Sequence, residues 1–485
     1  MSRQTNSALE KDESATAARR HAIVIGGSMA GLFAGRVLAD YFDRVTIIER
    51  DRFAQTPEPR KGVPQSRHLH ALLTRGQTIL EQFFPGILNE LAEADALVYD
   101  LAREIAWHTP AGWGIRFKSN LGILACSRDL LEWTTRRRVA ALPRVRFLEE
   151  GDVTGLVTND DCSRVVGARV RSRHTDEGQP GDEALLCADL VVDASGRGSR
   201  APQWLKAIGY AAPEESVINA FLGYASRVYE RPAASHPGWN GAYIQAAPPE
   251  HTRGGIVFPI EGNRWMLTLI GLGRDYPPTD EAGFLEFARS LRTSALYDAI
   301  KDARPLTPIV SHRGTENRLR HYERLPRLPE GFVLVGDSVC AFNPVYGQGM
   351  TMAALGALTL SESLGKHAPG KLKGFTASFQ RRLAKVNQAA WLLATGEDFR
   401  VRGAEGGTPD RMTKFMQKYV DKVVLLSTKS ASARRRLLEV FNMEKPPTSL
   451  FHPRVLIEIL ARALSRDSQA PKPALRAAEI KEFSS

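Results

Sequence analysis

The sequence predicts an α/β protein: a Rossmann-like nucleotide-binding domain split along the chain by an inserted antiparallel sheet and followed by a helical tail. Three observations carry this. A glycine turn joins two short apolar runs just after residue 20, a second strand-loop-helix unit stands at 332–364, and between them the pattern changes to alternating strands and turns.

Residues 1–19 are polar and charged, a leader with no apolar core. Ala22–Ile25 reads as a buried strand, Gly26-Gly27-Ser28-Met29-Ala30-Gly31 as a glycine turn into a helix, and Val45–Ile48 as a second strand ending in Glu49 and Arg50. In such a unit Gly26 makes the tight turn, Gly31 allows close helix–strand packing, and the helix start over Ser28, Met29 and Ala30 takes a pyrophosphate. Glu49 lies 18 residues beyond Gly31, where a carboxylate suits an adenosine ribose without a 2′-phosphate. Ser28 replaces the middle glycine of this pattern; it is small and its hydroxyl could bond a phosphate, although the backbone must still approach closely.

The stretch from Arg60 to His70 mixes polar side chains with Gly62 and Pro64. It is either a solvated loop or a segment crossing the ligand, with Gly62, Val63 and Gln65 or Arg67 beside it. His68 and His70 have no further ligand cluster, so no metal is expected. A helix follows over 71–84. Strands over 144–149 and 165–172, with turns at Asp161–Ser163 and His174–Gly178, predict a small sheet beside the first unit. Asp189–Asp193 closes another buried strand, ahead of Ser195 and Gly196.

From 210 onward strands are expected over 220–229 and 242–247 and in a hairpin, Gly254–Ile260 and Arg264–Ile270, turning at Glu261–Asn263. One face should meet the ligand. Phe221, Tyr243, Phe258 and Trp265 are mostly core, with some lining a pocket, and the scarcity of ionisable residues in these strands points to an apolar substrate. Phe332–Val335 is then a buried strand, and Gly336, Asp337, Pro344, Tyr346, Gly347, Gln348, Gly349 and Met350 form a loop opening a helix over 351–364. Glycines there let backbone approach a flat ligand, and the helix start aims N–H groups at negative charge. Asp337, at a strand end, suits a ribityl hydroxyl. A helix over 373–395, a glycine-rich linker over 400–409 and a helix from Met412 complete the chain.

Gly336-Asp337 followed by Pro344-x-x-Gly347-Gln348-Gly349 resembles the second FAD fingerprint of flavoprotein monooxygenases, the aromatic hydroxylase and squalene epoxidase group. The stretches Arg60–His68, Cys126–Trp133, Asp189–Ser199 and Ala341–Gly349 are together similar to the bacterial FAD-dependent epoxidases of polyether biosynthesis, the lasalocid and monensin type, over roughly residues 20–400. The resemblance implies an FAD-binding domain in two parts, 20–209 with the small sheet and 329–400, an antiparallel-sheet substrate domain at 210–328, and a helical basic region at 401–485. It gives Arg128 a contact with the cofactor and surrounds the flavin ring with Tyr346, Gly347 and Gly349. It implies insertion of one oxygen atom from O2, by epoxidation or hydroxylation through a flavin C4a-hydroperoxide, into an apolar alkene-bearing or aromatic molecule. NADPH or NADH is the electron donor. Because Ser195-Gly196 stands where aromatic hydroxylases carry Asp-Gly, a separate flavin reductase could deliver the electrons.

Other classes share the scaffold. A reductase or oxidase of a prenyl-type or polycyclic substrate would not incorporate oxygen, a halogenase would need a Trp-x-Trp-x-Ile-Pro element that Trp107–Trp113 does not match, and an escort protein would bind no FAD. The net charge is +11, with 15 Lys and Arg against 8 Asp and Glu from 410 to 485. No zinc-finger, stacked-aromatic or basic-zipper pattern accompanies it, so no nucleic-acid partner is expected. The basic tail is read either as docked helix or as a peripheral membrane contact. Lacking a signal peptide and a spanning run, the chain is expected in the cytoplasm. Its four cysteines, without metal spacing, are expected to be free buried thiols.

Overall fold

The computed structural model describes residues 20–173, 181–232, 238–367 and 372–464. The expected leader, the turn at His174–Gly178 and the last part of the basic tail lie outside the described residues.

Five segments form one parallel sheet, in the order Phe332–Leu334, Leu190–Asp193, His21–Ile25, Arg44–Ile48, Val145–Leu148; the last, expected in the small sheet, is corrected to a half-exposed edge strand of this one, paired with Arg44–Ile48. A parallel sheet is covered on both faces, so its strands are near-continuous apolar runs; His21–Ile25 and Phe332–Leu334 are buried along their whole length. The chain leaves this sheet after Asp193 and returns to its edge at Phe332, as the split pattern predicts. A three-stranded antiparallel sheet, Gly151–Thr158, Val165–Ser172 and Glu183–Cys187, packs beside it.

The inserted sheet has seven strands in the order Val310–His312, Gly223–Glu230, Arg264–Gly271, Arg253–Ile260, Gly241–Ile244, Ile105–Thr109, Gly112–Trp113. Its centre is the expected hairpin, turning through Gly262 and Asn263 at φ +70° and +52°, the left-handed backbone a short hairpin loop needs. One face buries Tyr229, Trp265, Leu267 and Leu269 against the helices Glu281–Arg289 and Ala295–Ile300. The boundary at residue 210 needs correcting, because Ile105–Thr109 pairs in parallel with Gly241–Ile244 and Gly112–Trp113 extends that edge. Ile-Ala-Trp-His-Thr has no strand-like alternation of its own; the open edge of Gly241–Ile244, with backbone groups to satisfy, makes it a strand.

The helix Gly349–Leu364 packs between Met29–Leu38 and Phe375–Asp398. The stretch 400–409, expected as a linker, is instead held down: Glu405 bridges to Asn219, and a Cβ on Gly406 would fall 1.7 Å from the Val217 carbonyl oxygen. Three tail helices, Arg411–Ser427, Ala431–Phe441 and Pro453–Leu464, share a core of Tyr419, Val423, Leu437 and Leu450. Among the described residues no helix is long and apolar enough to cross a membrane. The cysteines depart from expectation in part: Cys126 and Cys340 are buried, while Cys162 is partly exposed and Cys187 exposed.

Candidate functional site

The two glycine motifs meet at the carboxyl ends of the parallel strands. Gly26 turns at φ +100°, a Cβ on it would lie 2.6 Å from the Ala194 carbonyl oxygen, and a Cβ on Gly31 would lie 1.8 Å from the Gly26 carbonyl oxygen. Only glycine lets the helix begin this close to the strand end. Gly336, at φ +61°, brings the second motif against the first, since its added Cβ would meet the Ala30 Cβ at 2.8 Å. Glu49 is 5% exposed; it accepts the N–H of Gly27 at 2.8 Å and of Asp51 at 3.1 Å and pairs with Arg60 at 3.1 Å. Its carboxylate is thereby fixed beside the glycine turn.

Ser28 stands at the start of the helix Met29–Leu38, but its hydroxyl donates to Glu132 at 2.9 Å and accepts from Arg128 at 2.9 Å. The expectation that this hydroxyl meets a phosphate is corrected: neighbouring side chains engage it. Arg128 opens the helix Arg128–Ala140 and pairs with Glu132 one turn on at 2.6 Å, while its Nη1 is buried without a partner among the described residues. Burial alone would raise the Glu132 carboxyl, but the guanidiniums of Arg128 and Arg60 outweigh it and hold it down to about 2. One ionised carboxylate therefore orients two arginines.

In the second motif, Pro344–Tyr346 makes one tight turn, Gly347 reverses it at φ +64°, and the helix begins at Gly349 behind Gln348. The space ahead of Gly349 is open, the nearest atom to an added Cβ being Asp337 Oδ1 at 3.9 Å. Gln348 Oε1 is buried with no partner among the described residues. Ser195 folds back, its N–H and hydroxyl donating to Asp193 Oδ1 at 2.9 and 2.6 Å, and a Cβ on Gly196 would meet nothing within 4 Å.

These groups line one cavity of about 1330 Å³. A site for a single small molecule measures about 300–1,000 Å³, so this one has room for a dinucleotide and a second molecule. The expected site residues line it except Gly31 and Gly336, which act from behind by close packing, and of the alternatives Gln65 and Arg67 only Gln65 does, Arg67 being exposed outside it. From the turn at Gly26 it passes Arg50, Gly62, Val63 and Gln65 and opens under the inserted sheet. There Trp107 donates to Gln245 at 3.1 Å and stacks on Tyr243 at 5.9 Å, with Phe258 and Phe441 completing an aromatic wall. Of the four sheet aromatics, Tyr243 and Phe258 line the cavity and Trp265 is core.

The scarcity of ionisable groups in the strands does not extend to the cavity, because other elements supply them. Glu397 and Asp421 reach it, each paired with Arg400, at 3.0 and 2.9 Å. His68 bonds Ser226 at 2.8 Å, and His70 bonds the His68 carbonyl oxygen at 2.9 Å. Burial, with His312 facing the first and Arg128 the second, drops both imidazoles to about 4. Tyr346 lines the cavity with its hydroxyl donating to Asp398 at 2.6 Å, and Asp398 also accepts from the amides of Asn343 at 3.0 Å and Asn317 at 2.7 Å. Burial lifts the Asp398 carboxyl to about 6 despite these bonds.

The family described as "FAD binding domain" matches residues 19–376. The chain belongs to that family. Protein Rv3254 of Mycobacterium tuberculosis is 34% identical over 382 residues, covering 77% of this chain and 79% of the relative. Kynurenine 3-monooxygenase of Salinispora arenicola is 26% identical over 407 residues, covering 79% and 81%. The solved flavin-dependent brominase Bmp2 superposes with a TM-score of 0.62 at 14% identity, over 91% of this chain and all of that one, a likeness of fold alone. The chain is an FAD-dependent monooxygenase, an oxidoreductase with an aromatic-hydroxylase-type fold.

The cavity fits FAD chemically. It offers a fixed carboxylate at a strand end, a buried guanidinium nitrogen in want of an acceptor, and open space ahead of Gly196 and Gly349 where backbone can approach a ligand. Sequence reasoning passed over Glu132, whose spacing of four from Arg128 places both on one helical face and was a usable signal. It also passed over Asp398 and its two asparagines. They converge from three distant segments, and although Asn343 lies within a quoted motif stretch, nothing local links it to Asn317 or Asp398.

Proposed function

We propose that this enzyme inserts one oxygen atom from O2, by epoxidation or hydroxylation, into an apolar alkene-bearing or aromatic molecule held in the chamber beneath the inserted sheet. The observation that carries this is the single cavity joining both nucleotide motifs to an aromatic wall. Glu49 would hold the adenosine ribose, Arg128 and the helix start at Ser28–Ala30 the pyrophosphate, and Asp337 the ribityl chain. Gly62, Val63 and Gln65 would flank the ring, with Pro344, Tyr346 and the Gly347–Met350 turn against it. Bound FAD supplies the chemistry of reducing and activating O2. The chain's own part is to place N–H groups of the Gly349 helix start toward negative charge, to keep His68 and His70 neutral, and to exclude water with Trp107, Tyr243 and Phe441.

NADPH or NADH supplies the electrons, directly or through a flavin reductase; the folding of Ser195 onto Asp193 supports the second route, since that hydroxyl is already engaged. Peripheral membrane contact fits the same reading, supported by exposed Met412 and Phe415 on the helix that carries Lys414, Lys418 and Lys422. The decisive experiment supplies the purified yellow protein with NADPH or NADH, with and without a flavin reductase, under 18O2. One labelled atom in a product from an apolar alkene or arene, and the other in water, is the expected outcome. Substrate reduced or desaturated without label would replace monooxygenation by the reductase or oxidase reading.

A further inference from the structure

Arg434, in the tail helix Ala431–Phe441, is 0% exposed and lines the cavity. None of its three guanidinium nitrogens has a hydrogen-bond partner among the described residues. Its Cζ lies 5.5 Å from the centre of the Trp107 ring, and Gly114 presses against it, since a Cβ on that glycine would stand 1.9 Å from Nη1. The acids in reach of the cavity do not serve it. Of the acids lining the cavity, Glu397 and Asp421 are engaged by Arg400, Glu49 by Arg60 and Asp152 by Arg173, and neither Asp337 nor Glu250 forms an ion pair with Arg434 among the described residues. Burial draws the guanidinium down to about 10, still cationic at neutral pH.

Burying a cation without a counter-charge is costly, so an anion delivered by a ligand would relieve that cost and be held there. The surroundings say which kind. The guanidinium fork matches a planar carboxylate through two parallel N–H···O bonds, and the adjoining walls, Trp107, Tyr243, Phe441, Leu438 and Val424, suit an apolar body rather than a polyphosphate or sugar.

We propose that Arg434 is the anchor for a carboxylate on the substrate, so that the molecule oxygenated here is an amphipathic acid, with its apolar body toward the Gly347–Met350 turn and its carboxylate beneath the tail helices. This rests on the monooxygenase reading of the cavity and narrows its substrate class.

The test uses the oxidised holoenzyme, without reductant, and the probe pairs cinnamate with cinnamamide and geranate with geranamide. Binding is read from flavin absorbance and tryptophan fluorescence. Each acid is expected to bind at least tenfold more tightly than its amide. Arg434→Met should abolish that preference while keeping the flavin spectrum and melting no earlier than the parent, because it removes an uncompensated buried charge. Gly114→Ala, which displaces the guanidinium without deleting it, should weaken acid binding and leave amide binding unchanged. Equal binding of acids and amides, binding of neither, or an acid preference that survives in Arg434→Met overturns the proposal. Because the readout needs no turnover, a preference for acids that are never oxygenated would defeat the monooxygenase reading and leave the anchor standing.

Discussion

Glu132 shows how much one side chain can organise. It is 5% exposed, stays ionised, and holds Arg60 at 2.8 Å and Arg128 at 2.6 Å while accepting from Ser28. In Glu132→Gln the two guanidiniums lose their common counter-charge; a charge-assisted bond contributes about 1.5–3 kcal/mol, so FAD affinity should fall roughly ten- to a hundredfold in a flavin-release titration. Asp398 titrates in the opposite sense to an ordinary paired acid. Its carboxyl is lifted to about 6 in the fold, so its contribution is complete below the ordinary carboxylate range and is lost as pH rises through 6. Asp398→Asn should therefore flatten that part of the stability–pH curve in urea melts between pH 4 and 7. Residues quoted within motifs, such as Glu49 and Gly347, were legible one by one. Asp398 and Arg434 were not, because their meaning comes from neighbours far along the chain.

At the scale of elements, periodicity served well wherever an element's own side chains decide its state. The parallel strands, the central hairpin and the helix Gly349–Leu364 all follow their apolar patterns. It failed at Ile105–Trp113 and at 400–409, where a partner's open edge or a packing surface decides. The tail helices carry a sharper consequence, since Val420, Val424, Leu438 and Phe441 close one side of the chamber. Removing residues 411–485 should leave a protein that still binds FAD through its two glycine motifs yet admits water. Oxygen-consumption assays on that truncation should show reductant oxidised and hydrogen peroxide released, with little product formed. Gly31→Ala should fail earlier, giving colourless protein, because its Cβ would press into the Gly26 carbonyl at 1.8 Å.

For the molecule as a whole, buried imidazoles set the response to acid. His68, His70 and His108 are each drawn down to about 4, by burial first and then by His312, Arg128 and Arg292 respectively. A base with a lowered value in the fold stabilises fully above its ordinary value near 6.5 and loses that contribution as pH falls through the folded value. The buried carboxyls of Asp129, Asp193, Asp337, Glu397 and Asp398 are raised and act in the opposite sense, so the histidine part is isolated by substitution: His68→Gln should lose less melting temperature than the parent between pH 6.5 and 4 in scanning calorimetry.

The parallel sheet gains its edge strand, Phe332–Leu334, only after the whole insertion has been traversed, and the Gly347–Met350 turn lies further on. A chain emerging from the ribosome at about 5–20 residues per second thus waits roughly seven to thirty seconds between completing Asp193 and completing the strand beside it. Until then the first glycine turn is a half-cradle with its floor missing. With FAD held by both glycine motifs, as proposed, loading would have to await that strand and the turn beyond it, a late event in the life of each molecule.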